Sequence, residues 1–218
     1  MTDTPAPAAG NTHGIIGVKP LGELLGAIAS KTPAPGGGAV ASAAGALAAA
    51  RAGMVLAYSR GKKSLAEHAD THAALIEECS RASGLLLELA DADADAYSEL
   101  NALQRLAADE PSRAESLPAA AQKCVDVPLE VQRVCLDLLG AFEVLAPIAN
   151  RWLLSDLKIA AILAEAAVRA SACNVAVNTP TLAEAVGTTQ AEHASRSSDE
   201  SCDQARASLE SIEAAIDG

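Results

Sequence analysis

The run Thr32-Pro33-Ala34-Pro35-Gly36-Gly37-Gly38 leads straight into a helical pattern. Bare glycine backbone lets a ligand approach N–H groups, and a helix N-terminus favours negative charge there. Pro35, Gly36, Gly37 and Gly38 therefore read as a ligand loop, against the plainer alternative of a tight inter-helix connection. No Gly-Lys-Ser/Thr follows and no strand precedes, so this is not a Walker-type phosphate loop. Lys62 and Lys63 come after Gly61 where the same helical pattern stops. They can cap the helix in solvent, clamp an anion, or supply one amine with a lowered pKa for proton transfer.

Acidic and amide groups come next. Asp91, Asp93 and Asp95 alternate inside a helical stretch; Asp91 and Asp95 share a face with Glu88, and Asp93 points elsewhere. An EF-hand needs glycine where Ala96 stands. A paired-aspartate magnesium site would want a second acidic motif and an aromatic-lined pocket, so the plain reading is a solvated acidic face. His68 and His72 are four residues apart, without a nearby third ligand. They read as exposed histidines, and no metal is expected. Asn150 falls in a break between helices, and Asp156 at a helix N-terminus, which stabilises a carboxylate as an anion. Asn174 and Asn178 lie four apart among alanines and valines. Amides there need partners, of which mutual capping is the simplest. No nucleophile elbow accompanies any serine, so Ser-His-Asp chemistry is not indicated.

Helices must position these groups. Leu21, Leu24, Leu25 and Ile28 predict a short helix after Pro20, and small residues predict a second from Ala39 to Ser59 with Gly61 at its C′ position. Ser64 and Glu67 form a capping-box pattern for a long helix to about Ala108, bent at Gly84. Pro111, Pro118 and Pro128 punctuate the next stretch, and a helix is expected from Leu129 to Ala146. Another should start at Ser155 or Asp156 and run to Val177, and Thr181 opens a last segment. With no strand pattern, the expected fold is all-α, an orthogonal bundle of about six to seven helices around the small-residue helix. Residues 1–14 read as a disordered tail and 15–218 as one domain.

Composition agrees. Of 218 residues half are hydrophobic, but 51 are alanine and only 2% aromatic, which disfavours sheet and removes any stacking platform for single strands. A net charge of −12 argues against nucleic acid and anionic membranes as partners. Five scattered cysteines form no CxxC pair, so buried thiols in a reducing cytoplasm are expected. The N-terminus has no signal-peptide pattern. The most apolar stretch, Ala39–Ala57, is interrupted by Arg51 and reads as a packed helix more than a membrane span.

Together, Thr32–Gly38, the small-residue helix, Gly61-Lys62-Lys63, Asp93-Ala94-Asp95-Ala96-Tyr97, Asp126-Val127-Pro128-Leu129, Asn150, Ser155-Asp156 and Asn174–Asn178 resemble the formiminotransferase-cyclodeaminase family, stand-alone methenyltetrahydrofolate cyclohydrolases included. The resemblance spans about residues 20–180. It implies a helical homodimer and a folate site lined by the glycine loop and helix ends. It also implies hydrolysis of 5,10-methenyltetrahydrofolate or loss of ammonia from 5-formiminotetrahydrofolate, with a tetrahydrofolate derivative as substrate and no bound cofactor. On it, Asp156 or Asp93 is the carboxylate near the cationic carbon. Lys62 or Lys63 donates a proton or clamps a carboxylate, and Asn174 and Asn178 hold the pterin edge. Tyr58 would be the nearest ring for stacking. Leu157-Lys158 and Ser64-Leu65 depart from the family pattern, with Lys158 expected close to Asp156. A redirected one-carbon transfer, or a non-catalytic folate-binding dimer, are the alternatives.

Overall fold

A helix with almost no side chains lets its neighbours come close, and that governs the architecture. The structure, a computed structural model, describes residues 16–218. The expected tail at 1–14 lies outside the described residues. Six α-helices run in the order α1 (Leu21–Ile28), α2 (Gly37–Ser59), α3 (Ala69–Gln104), α4 (Pro111–Leu145), α5 (Leu154–Ala185) and α6 (Thr188–Asp217). Short 3₁₀ turns occupy Lys63–His68, Ala146–Ile148 and Arg151–Leu153, and there is no strand among the described residues. α2 packs on α3 and α5; α4 packs on α3 and α5; α6 covers α5 and part of α4.

Ala48, Ala49, Ala52, Val55 and Leu56 of α2 are completely buried. They meet a core that includes Leu86, Leu138, Phe142, Leu157 and Val168. Gly45 marks the closest approach. A Cβ there would stand 2.7 Å from Cys135 Sγ and 3.1 Å from Leu86 Cδ1. Gly45→Val should therefore cost about 1–3 kcal/mol by overpacking. Urea denaturation measures this; a variant as stable as the parent would contradict the close crossing. By length and composition α2 and the stretch Arg151–Ala185 could each cross a membrane, but each turns its inner face into this shared core.

Several element boundaries differ from expectation. The Ser64–Glu67 capping box does not form: Lys63–His68 is a 3₁₀ turn and α3 begins at Ala69 without a side-chain cap. α3 runs through Gly84 and stops at Gln104, short of the expected Ala108. Gly61 does take the left-handed conformation expected after α2, at φ 79°. The main correction concerns proline. α4 and α5 run through Pro118, Pro128 and Pro180. Pro128 has no N–H, so the carbonyl of Cys124 loses its helical donor. Asn178 Nδ2 replaces it, 2.9 Å away. Pro180 likewise strands the Ala176 carbonyl, which accepts the Thr179 hydroxyl at 3.1 Å. The polar stretch after Gly187 is fully helical in α6.

His72 is also corrected, from exposed to wholly buried. Its Nε2 lies 3.0 Å from the Ile148 carbonyl, so Nε2 carries the hydrogen and donates it. Among the cysteines, Cys79, Cys124 and Cys135 are buried as expected, but Cys173 is exposed and Cys202 half-buried. Burial pushes the Cys79 and Cys135 thiols up to about 12.

Candidate active site

The N-terminus of α2 opens onto a cavity of about 260 Å³. Gly36, Gly37 and Gly38 form one wall; Asp93 and Tyr97 of α3, Cys124 of α4, and Asn174, Val177 and Asn178 of α5 supply the rest. The first helical hydrogen bond of α2 is Val40 N–H to the Gly36 carbonyl. No helical carbonyl therefore serves the Gly37 and Gly38 amides beside the cavity. Gly36, at the N-cap position, provides no side chain to cap them. The Ala34–Pro35 peptide is cis, and Pro35 lines an adjoining smaller cavity with Lys19 and Asp95.

Asp93 is the carboxylate of this cavity. It sits against Gly38 and accepts the Ala39 N–H. Burial raises its pKa above the ordinary carboxylate value, and the Ala39 hydrogen bond opposes that only in part. The Cys124 thiol is pushed up to about 11, by burial first and then by Asp93 and Glu99. It is a neutral wall group. The two asparagines do different work. Asn178 donates to the Cys124 carbonyl freed by Pro128. Asn174 Nδ2 donates to Ala170 one turn back, at 3.2 Å, and its amide oxygen faces Gly37. They do not cap each other.

Of the remaining expected site residues, Lys62 and Asn150 meet at the other end of α2, and Asp156 joins neither group. Lys62 Nζ donates to Asn150 Oδ1 at 2.9 Å, and the Asn150 N–H donates to Ser59 Oγ, also at 2.9 Å. Ser59 passes its own hydrogen to the Val55 carbonyl. Lys63 opens the following 3₁₀ turn. Asp156 is ion-paired with Arg51, mid-way along α2. Lys158 does not approach Asp156: it turns to Asp217 at 2.9 Å and Glu213 at 3.5 Å, at the end of α6. The 22 helical steps from Gly37 to Ser59 span about 33 Å. Within one chain, then, Gly36, Gly37, Gly38, Asp93, Asn174 and Asn178 come together, whereas Lys62, Lys63 and Asn150 form a separate cluster.

The family model for formiminotransferase-cyclodeaminase matches residues 20–197, a stretch that contains both clusters. The chain belongs to this family. It is 34% identical over 177 residues to the formimidoyltransferase-cyclodeaminase of Sus scrofa, covering 79% of this chain but 32% of that protein, so it spans about a third of the pig relative. Against a methenyltetrahydrofolate cyclohydrolase of Methylorubrum extorquens it is 31% identical over 162 residues, 71% of this chain and 76% of the relative. Among solved structures, a formiminotetrahydrofolate cyclodeaminase from Thermotoga maritima superposes with a TM-score of 0.84 at 28% identity, over 93% of this chain and 98% of that one.

In this member of the family, the cavity includes residues to which the sequence reading assigned no role. Tyr97, not Tyr58, is the ring at the cavity; Tyr58 is exposed near the far end of α2. Its signal was present, since Tyr97 stands four residues after Asp93 on the same helical face. Val177 and Cys124 had no comparable signal. Arg51, which holds Asp156, reads in the sequence only as an interruption of an apolar helix.

Proposed function

We propose that this protein is a folate one-carbon enzyme that hydrolyses 5,10-methenyltetrahydrofolate to 10-formyltetrahydrofolate, releases ammonia from 5-formiminotetrahydrofolate, or does both. The observation that carries the proposal is the Asp93 carboxyl, half-buried beside two helix-terminal amides in a cavity of a chain that matches this family along most of its length. The methenyl carbon is already an electrophilic amidinium, so the reading needs no resident cofactor. In the hydrolytic direction a water oxygen bonds to that carbon and gives a proton to Asp93. The bond from carbon to N5 then breaks as N5 takes that proton and the added hydroxyl releases its own to solvent, leaving the formyl group on N10. In the deaminating direction N10 bonds to the formimino carbon and its proton passes to the imino nitrogen; the resulting C–NH₂ bond then breaks, with ammonia leaving as it takes a second proton. Both directions need one carboxyl group that can hold or release a proton near neutral pH, and burial moves Asp93 towards that condition.

The working unit is a homodimer. Val40, Leu47 and Tyr58 of α2, Trp152 of the turn before α5, and Ile159, Ile162 and Val177 of α5 are apolar yet 42–73% exposed. α2 and α5 pack on each other, Val40 and Leu47 stand seven residues apart on α2, and Ile159 and Ile162 stand three apart on α5, so each helix keeps an apolar stripe facing outward. The cavity volume falls below the ~300–1,000 Å³ typical of drug-sized ligands, and no lysine or arginine is among the described residues that line it. A folate carries carboxylates that want a cation. Two copies related by a two-fold axis, with their α2 helices antiparallel, would bring the partner's Lys62–Asn150 cluster towards this cavity and supply both volume and charge. We extend the reading to the cytoplasm, where scattered free thiols stay reduced.

The test is to follow loss of methenyl absorbance with 5,10-methenyltetrahydrofolate, and ammonia release with 5-formiminotetrahydrofolate. Acceleration of either supports the proposal. Rates equal to buffer with both would reject it, and tight folate binding without turnover would then indicate a binding protein or a transferase to another acceptor.

A further inference from the structure

The three glycines before α2 are not equivalent. A Cβ on Gly36 would meet only the Pro33 carbonyl oxygen, at 3.9 Å, and one on Gly37 would reach Asn174 Oδ1 at 3.3 Å. A Cβ on Gly38 would fall inside the Asp93 carboxyl group, overlapping its carbon and both oxygens. Asp93 is half-buried and lines the cavity, so a Cβ on Gly38 would have to turn the carboxyl away from its place against the glycine and out into the cavity. The neighbouring Ala39 N–H holds the same carboxylate. Backbone freedom does not explain this glycine, because Gly61 and Gly187 are the described glycines with positive φ.

We infer that Gly38 is a positioning residue: the space left by its missing side chain is the seat of the Asp93 carboxyl, and together with the Ala39 amide it fixes where that group meets the substrate. The inference rests on the proposed function for its kinetic consequence, but its geometric part stands without it. A loop glycine that serves backbone approach of a ligand should affect binding. A glycine that seats the reacting carboxyl should affect turnover, because a displacement of about 1 Å can cost on the order of a hundredfold in rate.

α3 contributes Tyr97 beside Asp93, with Asp91 and Asp95 on its adjoining turn, where Lys19 lines the neighbouring cavity. α4 contributes Cys124, held as the neutral thiol and reached by the charges of Glu99 and Lys123, and α5 contributes the uncharged Asn174 and Asn178. Of these groups Asp93 is the one a side chain on Gly38 would displace, so a change in the pH profile on altering Gly38 would report on it.

Gly38→Ala, Asp93→Ala and the double variant should be compared by urea denaturation and, with 5,10-methenyltetrahydrofolate, by kinetics across pH. The expected result is that Gly38→Ala destabilises the parent but is neutral or stabilising in the Asp93→Ala background, where the obstructing carboxyl is gone. The same substitution should lower kcat by about a hundredfold with KM nearly unchanged, and shift the acid limb of the pH–rate profile. If Gly38→Ala alone does not fold, folding of the double variant gives the same answer. An equal stability cost in both backgrounds, failure of both to fold, or a raised KM with an unmoved pH profile would overturn the inference. Absence of any activity in the parent would count against the folate reading, while the stability cycle would still decide the seat of Asp93.

Discussion

Asp93→Asn should remove nearly all turnover and leave a protein that is more stable than its parent at pH 7. The kinetic loss is expected at about 10²–10⁴-fold, the usual contribution of a positioned acid–base group. The stability gain follows from linkage. Burial raises the folded pKa of Asp93 above the ordinary value of 3.8 that the unfolded chain retains. Between those two values the native state holds a proton that the unfolded state has lost. The contribution of Asp93 to stability is thus fully present below the ordinary carboxylate value and is lost as pH rises through the folded pKa. At pH 7 the parent carries a partly buried charge that asparagine would not. The asparagine oxygen can still accept the Ala39 N–H. The variant should gain on the order of 1 kcal/mol at pH 7, a size common when an active-site strain is relieved. That advantage should shrink as pH falls towards 3.8. Urea denaturation at two pH values and a progress curve with the methenyl substrate measure both effects. Parent-like turnover would remove Asp93 from the mechanism, and a pH-independent stability gap would assign its cost to something other than charge.

The second large effect concerns the two clusters at the ends of α2. Lys62→Met deletes the ammonium that donates to Asn150, about 33 Å along the helix from Asp93's cavity. As homodimers, Lys62→Met and Asp93→Asn should each be close to inactive. Co-expressed in equal amounts they form heterodimers in half of the assemblies, and each heterodimer contains one site with both residues intact. Activity should return to about one quarter of the parent rate, as two-fold symmetry requires of a shared site. Leu47→Glu, in the middle of the exposed apolar stripe, should prevent this recovery by keeping the subunits apart. A mixture that stays inactive, or a fully active Lys62→Met homodimer, would show that each chain holds its own site.

Much of the architecture was legible in the amino-acid types. Alanine and leucine without strand patterning specified helices, and α1, α2 and the left-handed Gly61 follow from local rules. Pro118, Pro128 and Pro180 were misleading because proline disrupts a helix through local chemistry, and the remedy for Pro128 was remote. Asn178 lies 54 residues beyond the Cys124 carbonyl that it satisfies. Only the packing of α5 on α4 brings them together. The same limit applied to the site. Asp93, Asn174 and Asn178 belonged with the glycine loop, as their motif order suggested. Spacing along the chain could not reveal that Lys62 and Asn150 gather at the opposite end of α2. His72 looked like a surface residue because its partner, the Ile148 carbonyl, is a backbone atom 76 residues away.

α2 therefore acts as a gauge as well as a core element. Both of its ends carry candidate site residues, and its buried alanines let it lie closely held between α3 and α5. One residue inserted within it would advance one end by about 1.5 Å and turn it by about 100° relative to the other. In a two-fold pair that error would enter twice, once from each strand of the gauge. An insertion in the exposed connection between α3 and α4 would leave the measured length untouched. The tolerance of this fold to length change is set by which segments measure distance for the chemistry, and α2 is the segment with none to spare.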